Sequence, residues 1–310
     1  MLHSCEPGVT TTGASAIVVN YNGGATLRDL VVSLAAGPAL DGIIIVDNAS
    51  SDTSLDFLGR GEFSGANIRL VKNSGNRGFA AACNQGAALA DSAYLLFINP
   101  DCRMDGSALP RLLAVLKDDP HSGVAGPLIL NADGSEQRGC RRYLPDPRRA
   151  LMRVLGLDKP DVQGRVVGFD LTGTPLPPGP TEVEAISGAC MLLKRDAYAK
   201  LGGWDEGYFL HCEDLDICMR LRRAGLRTVF VPDARVTHVQ GVSSRGRSVF
   251  VLWHKHRGMW RYFTKFQRAT SPGWLTALVW FGIWSRFSLL LPGAWFSSLR
   301  PRESSGSHVA

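Results

Sequence analysis

The stretch Tyr94-Leu95-Leu96-Phe97-Ile98-Asn99-Pro100-Asp101 decides the fold. Its apolar half reads as a buried strand. Pro100 cannot continue a sheet ladder, so the chain turns there. The turn delivers Asp101 to the carboxyl end of a strand, where open α/β sheets bind their ligands. A carboxylate at such an edge is placed to hold a divalent metal on a diphosphate, which points to a nucleotide-activated substrate.

Working outward, further short apolar runs alternate with helical patterns. Strands are expected over 16–19, 43–46 and 68–71, and helices over 26–34 with Thr26 as cap, 78–90 and 107–116. Continuously apolar strands between helices imply a parallel sheet covered on both faces. Each strand ends in polar residues on one edge: Asn20-Tyr21-Asn22 after the first, Asp47-Asn48 after the second. From 131 to about 180 the pattern fades into Gly, Pro and Arg, including Arg138, Arg141, Arg142, Arg148 and Arg149, and reads as an insertion or mobile loop. Order returns with a strand over 189–193, a helix over 213–224 ended by Gly225, and a strand over 227–231 stopped by Pro232.

The 310 residues allow one large domain or two modest ones, and 45% hydrophobic with 20% charged residues suits a folded, soluble chain. The expected division is a disordered tail over 1–14, an α/β domain over 15–245, a basic and apolar helical extension over 246–300, and a disordered tail over 301–310. The net charge of +6 is unevenly spread, because no acid lies between Asp233 and Glu303. Such a basic segment is either a solvated face or a surface for an anionic partner, and the apolar residues that follow it favour the latter. Residues 274–284 and 287–291 are strongly apolar but split by Arg286. A spanning helix needs about 20 apolar residues, and a central arginine costs roughly 2.5–3.5 kcal/mol on insertion scales. A helix lying in the membrane interface with Arg286 snorkelling is therefore expected, the other reading being a core or dimer helix.

Seven scattered cysteines without a CxxC pair suggest reduced, packed thiols rather than a zinc or redox site. The first residues lack a basic start and an apolar run, so no signal peptide is expected. No G-x-G-x-x-G follows the first strand and no Walker loop is present, which argues against dehydrogenases and P-loop enzymes. Neither a helix-turn-helix nor a zinc finger appears, so nucleic acid is not an expected partner.

Asp47 and Asp101 end strands on the same edge, where Asp47 could meet a base or ribose and Asp101 a metal; each is also an ordinary turn residue. Glu213-Asp214 opens a helix, which favours acids electrostatically. Neighbouring carboxylates among apolar residues also repel, and one of them acquires a raised pKa suited to a general base. His238 is either a common surface or core histidine or a neutral imidazole ligand completing a metal site with Asp101.

Taken in order, these segments resemble the family 2 glycosyltransferases, which have the GT-A fold. The matching pieces are Val18-Val19-Asn20-Tyr21-Asn22, Val46-Asp47-Asn48-Ala49-Ser50-Ser51-Asp52, Asn76-Arg77-Gly78-Phe79 within 73–84, Asn99-Pro100-Asp101, Ser187-Gly188-Ala189, Gly203-Trp204-Asp205-Glu206 and Glu213-Asp214-Leu215-Asp216. The resemblance implies inverting transfer of a sugar from a nucleotide-sugar. Tyr21, Asn22, Asp47, Asn48, Asn76, Arg77, Gly78, Asn99, Asp101, Gly188, Trp204 and Arg245 would then bind the donor. Asp101 and His238 would hold Mg²⁺ or Mn²⁺, and Asp214 would be the base, supported by Glu213. Asn99 stands where the family's metal motif has its first acid, as in a rhamnosyltransferase branch. The segment His254-Lys255-His256-Arg257-Gly258-Met259-Trp260-Arg261-Tyr262-Phe263 resembles branch members acting on lipid-linked acceptors. The donor implied is dTDP-L-rhamnose and the acceptor polyprenyl-diphosphate-linked GlcNAc. The place implied is the cytoplasmic face of the plasma membrane, held peripherally. A UDP-sugar donor, galactofuranosyl or GlcNAc, and a non-catalytic membrane scaffold are the competing readings.

Overall fold

The computed structural model describes residues 11–37, 40–63, 65–147, 149, 169–239 and 248–298. The first half of the sheet is parallel: β1 (Thr11–Asn20), β2 (Leu40–Asp47), β3 (Ile68–Lys72) and β4 (Ser92–Ile98) lie in the order β3-β2-β1-β4. These are the expected apolar runs, lengthened. β1 starts at Thr11, inside the stretch expected as a disordered tail. Helices α1 (Thr26–Ala35), α2 (Asp56–Gly59) and α3 (Phe79–Ala87) make the connections. Thr26 does not cap α1; its hydroxyl donates to the Gly23 carbonyl at 2.6 Å.

The second half is mixed. It holds β5 (Cys102–Met104), α4 (Ala108–Asp118), β6 (Ser122–Leu130), β7 (Arg141–Arg142), β8 (Thr181–Val183), β9 (Ala185–Ile186), β10 (Cys190–Lys194), α5 (Arg195–Lys200), α6 (Glu213–Arg223) and β11 (Arg227–His238). The full order is β3-β2-β1-β4-β10-β6-β11-β5, with β8 added on β11. β10 is antiparallel to β4 and β6, β5 is antiparallel to β11, and β6 and β11 are parallel.

Three expectations are corrected here. β6 was not foreseen, because its glycines and proline disguise a strand. Those glycines allow close approach: a Cβ on Gly123 would lie 2.6 Å from Leu221 Cδ2, and one on Gly126 2.5 Å from Ile186 Cδ1. Second, Pro232 does not stop its strand. β11 bulges between Val231 and Arg235 and continues to His238, and Pro127 of β6 faces Val231 at that interruption. Missing N–H groups are tolerated at bulges. Third, the stretch after Asn131 is no loose insertion. Gln137, Cys140, Arg141 and Leu144 are buried, and β7 pairs with β9. Arg138 pairs with Asp170 at 3.0 Å, Arg141 with Glu136 at 2.8 Å and Arg149 with Glu184 at 3.1 Å, so these arginines bind the segment down. Residues 150–168, and Arg148, lie outside the described residues.

The core lies between the sheet and its helices, with Phe97 fully buried and edge-on to Trp204, ring centroids 5.2 Å apart. Truncating such a buried ring to alanine costs roughly 3–5 kcal/mol. Six cysteines are buried and free, as expected of packed thiols.

The extension folds back on itself as a hairpin of α7 (Ser248–Phe266) and α8 (Gly273–Ser298). α7 joins the sheet domain through buried Tyr262 and Phe266, and Lys265 Nζ bridges Asp205 and Asp216 at 2.6 Å each. α8 runs unbroken through Pro292 and is long and apolar enough to cross a membrane by length and composition. It is not a core helix, since Trp274, Phe281, Leu289 and Phe296 are 64–81% exposed. Arg286 points back onto α7, where its Nη1 donates to Nε2 of fully buried His256 at 3.0 Å. The His256 Nδ1 donates to the Leu252 carbonyl at 2.7 Å, and burial lowers its pKa, so the ring accepts from Arg286 as neutral imidazole.

Candidate active site

Parallel pairing puts Asn20 directly beside Asp47 at the carboxyl edge. Asn20 Nδ2 donates to Asp47 Oδ1 at 2.8 Å, and Ser50 donates to the same oxygen from its hydroxyl at 2.6 Å. Asp47 is 3% exposed, and its carboxylate braces the two turns it stands between. Asn22 spans the turns from the other side, its Oδ1 accepting from the Ser51 amide at 2.8 Å. Asn48 Oδ1 accepts from Asn73 at 2.9 Å while its Nδ2 donates to the Gly78 carbonyl at 3.2 Å. Asn76 Oδ1 accepts from the Gly78 amide at 2.9 Å. Gly78 has φ +86°, and a Cβ there would lie 2.8 Å from the Phe209 carbonyl. Arg77 is exposed and Tyr21 is half-buried beside this edge. Among the described residues, the non-glycine residues with positive φ are Asn22, Ala49, His211 and Cys212. All border this edge or the start of α6, as strained backbone at functional sites tends to.

The pairing of β5 with β11 brings His238 opposite Cys102, and the Val239 amide donates to the Asp101 carbonyl at 2.9 Å. Asp101 Oδ1 then lies 3.0 Å from His238 Nε2. Gln137 fixes the role of one nitrogen of that ring. Its Nε2 donates to the His238 carbonyl at 3.1 Å and to Asn131 Oδ1 at 3.0 Å, which uses both hydrogens. Its Oε1 therefore faces His238 Nδ1, 2.7 Å away, and Nδ1 donates. In the neutral ring Nε2 is left with a lone pair pointed at a carboxylate. Such a contact needs positive charge between or beside the two acceptors, and a divalent cation accepts electron pairs from both. Asn99 Nδ2 stands 3.5 Å from the same nitrogen. Cys102 lies within reach of the pair, but its thiol donates to the Ala189 carbonyl at 3.5 Å and burial raises its pKa well above the usual range. It is a neutral packing thiol, which leaves Asp101 and His238 as the two side chains of this group that could hold a metal.

The loop between β9 and β10 ties this corner to a second one. Asn99 N donates to the Ala189 carbonyl at 2.9 Å, and Gly188 N donates to Asp214 Oδ2 at 3.2 Å. Asp214 Oδ2 also accepts from Arg142 Nη2, and Oδ1 accepts from the Leu215 amide at 2.8 Å. A Cβ on Gly188 would lie 3.0 Å from Asp214 Cβ, so this glycine makes room for the acid. Burial works against the Asp214 charge, but Arg142 beside it holds its pKa below the usual carboxylate range. Glu213 goes the other way: burial, then the Asp214 charge, raises its pKa to about 8, and its Oε2 is buried without a partner. Adjacent carboxylates thus divide into one ionised and one protonated near neutrality, and the ionised one is Asp214.

The expected residues around this edge are accounted for, with two exceptions. Trp204 is 2% exposed and packs against Phe79 and Phe97, so its indole faces the core rather than this edge. Arg245 lies outside the described residues. Sequence reasoning did not find Gln137 or single out Arg142. Arg142 carried a faint signal, being one of a run of arginines; Gln137 carried none.

Residues 15–171 match the profile described as glycosyl transferase family 2, and residues 169–301 that of glycosyl transferase family group 2. The chain is 27% identical over 268 residues to N-acetylglucosaminyl-diphospho-decaprenol L-rhamnosyltransferase of Mycobacterium tuberculosis, covering 79% of this chain and 85% of that one. It is 26% identical to the rhamnosyltransferase WbbL of Escherichia coli K12, covering 57% and 63%. Its fold is similar to that of GalNAc-T7, solved with UDP, GalNAc and Mn²⁺, at a TM-score of 0.58 and 16% identity, over 90% of this chain and 55% of that one. The mostly parallel sheet with its helices is thus GT-A-like.

Proposed function

This chain belongs to glycosyl transferase family 2, and on that footing we propose that it transfers L-rhamnose, with inversion, from dTDP-L-rhamnose to a polyprenyl-diphosphate-linked GlcNAc. The observation that carries the chemistry is the join between the two corners. The 187–189 loop bonds to Asn99 on one side and to Asp214 on the other, so one short loop ties the corner of Asp101 and His238 to that of the base. The likeness to the mycobacterial and E. coli rhamnosyltransferases supports the donor, and the lipid-diphosphate named in the mycobacterial relative supports the acceptor.

The reaction is one in-line displacement. The acceptor hydroxyl oxygen bonds to the anomeric carbon as the bond from that carbon to the donor's diphosphate oxygen breaks. The electron pair leaves with the nucleoside diphosphate, and the hydroxyl proton passes to Asp214. Asp101 and His238 would hold Mg²⁺ or Mn²⁺, which when bound supplies positive charge to the departing diphosphate. Gln137 keeps the His238 lone pair turned toward that position. The braced turns around Asn20, Asp47 and Asn48 shape the edge on which the nucleotide lies. No protein nucleophile is needed for inversion.

The hairpin supports a peripheral place on a membrane surface, and the use of a nucleotide-sugar donor favours the cytoplasmic leaflet. α8 lies along α7, and α7 is bolted to the sheet domain by Lys265 and Arg261 on Asp205. A transmembrane placement of α8 would carry the His256–Arg286 pair into hydrocarbon, whereas an interfacial one leaves the exposed Trp, Phe and Leu side chains in acyl chains and Arg286 at headgroup depth. Basic residues close to an anionic leaflet add about 1 kcal/mol each.

A donor screen with a short-chain polyprenyl-diphosphate-GlcNAc, with and without Mg²⁺ or Mn²⁺, tests the reading. Product is expected from dTDP-L-rhamnose and metal together. Turnover of UDP-galactofuranose or UDP-GlcNAc instead would replace the donor, and absence of turnover with any nucleotide-sugar would favour the scaffold.

A further inference from the structure

The Arg-rich segment holds a residue that the transfer chemistry leaves unassigned. Arg142 sits in β7, and β7 is held by pairing with β9, so the guanidinium is fixed from the backbone outward. Its Nη2 donates to the Ile186 carbonyl at 3.1 Å as well as to Asp214 Oδ2. The side chains at this contact are only 21% and 16% exposed, so solvent screening is weak. Together with the Gly188 amide, Arg142 fills both lone pairs of Oδ2. Among the described residues, Oδ1 accepts from Leu215 N alone, which leaves its second lone pair for the acceptor hydroxyl.

We propose that Arg142 is a positioning residue for the sugar transfer: it clamps the base through Oδ2 and so makes Oδ1 the atom that takes the acceptor hydroxyl's proton. The clamp rests on the reading of Asp214 as base. It also settles the division of labour with Glu213. Were Arg142 absent, two adjacent buried carboxylates would compete for one charge. The groups facing Asp214 are Glu213 and the Cys212 and Cys218 thiols on or beside its own helix, His211 from the preceding turn and Arg142 from β7, with Lys255 of α7 facing His211 and Cys212. Burial raises the pKa of each of those thiols, which keeps them neutral at working pH. Among the described residues, Arg142 is the cation bonded directly to Asp214.

The test is the pH profile of kcat/KM for the full chain, using dTDP-L-rhamnose, or a UDP-sugar if that is the donor turned over, with the short-chain acceptor. Wild type, Arg142→Gln, Arg142→Lys and Asp214→Asn are compared. With its cation removed, Asp214 is expected to ionise later, so the acid limb of Arg142→Gln should move up by about 1–3 pH units. Its deficit should shrink toward high pH, and Arg142→Lys should fall between it and wild type. A loss by the same factor at every pH, with nucleoside-diphosphate affinity retained, would overturn the clamp and leave Arg142 a packing residue. If Arg142→Gln does not fold, the limb of Arg142→Lys decides alone: a limb superimposed on wild type overturns the proposal. Undiminished turnover by Asp214→Asn would sink the underlying assignment of the base, whatever the arginine variants show.

Discussion

The two acidic corners of this site manage negative charge in opposite ways. At the base corner, Asp214 meets a cation built into the chain, because Arg142 of β7 bonds it directly. At the leaving-group corner, Asp101 faces the lone pair of a histidine held in that orientation by Gln137. One corner carries its positive charge permanently, while the other is arranged to receive it. The difference follows the reaction. In the proposed reaction the base must be ionised when each cycle begins, whereas the charge on the departing diphosphate comes and goes with the substrate and suits an exchangeable cation.

The largest expected effect is at the base corner. Asp214→Asn keeps the shape and removes the proton acceptor, so turnover should fall by about 10²–10⁴-fold. Nucleoside-diphosphate affinity, measured by calorimetry, should be nearly unchanged; a parallel loss of affinity would mean that the two corners are not separable. The metal corner should fail differently. Gln137→Leu frees the His238 ring to turn, and the half-saturating Mg²⁺ or Mn²⁺ concentration should rise by about 10–100-fold, the usual effect of losing a partner behind a ligand. Excess metal should restore turnover, and a deficit that no metal concentration repairs would move the ion elsewhere.

Truncation after Thr270 removes α8 and leaves both corners intact. Binding to anionic vesicles should drop to background, while activity on a short-chain acceptor stays within a few-fold of the full chain. Retained vesicle binding would place the membrane contact on α7 instead. The smallest effect concerns Glu213. Its folded-state pKa is raised to about 8 from the usual value of 4.5. The native state therefore binds more protons than the unfolded chain between those values, and this group's contribution to stability is full below the lower value and is lost as pH rises through the upper one. Glu213→Gln should flatten the fall of Tm between pH 5 and 8 and change turnover little. An unchanged slope would show that Glu213 is ionised in the fold and competes with Asp214 for the role of base.

Much of the site was legible before the fold was known, because its acids end strands. Asp47 and Asp101 follow apolar runs that can only be interior strands, and parallel strands must present their carboxyl ends on one edge. The residues that tune those acids were not legible. Gln137 and Arg142 sit among glycines and arginines with no period, and they reach His238 and Asp214 across 101 and 72 positions of sequence. Trp204 misled for a related reason: it stands in a motif beside the site, yet its indole faces the core.

The sequence by itself determined the ends of β1, β2 and β4, the order of the acids and the apolar, acid-free tail, since each depends on local pattern or on composition. Only the tertiary structure decided how Glu213 and Asp214 divide their charge and how His238 is oriented. Those properties depend on burial and on the identity of the nearest charge, and both are set by segments distant in the chain. The Asn99-Pro100-Asp101 turn shows the boundary. Its place at the sheet edge follows from one apolar run and one proline, but its partner arrives through a bulged strand that continues past the proline where the pattern breaks.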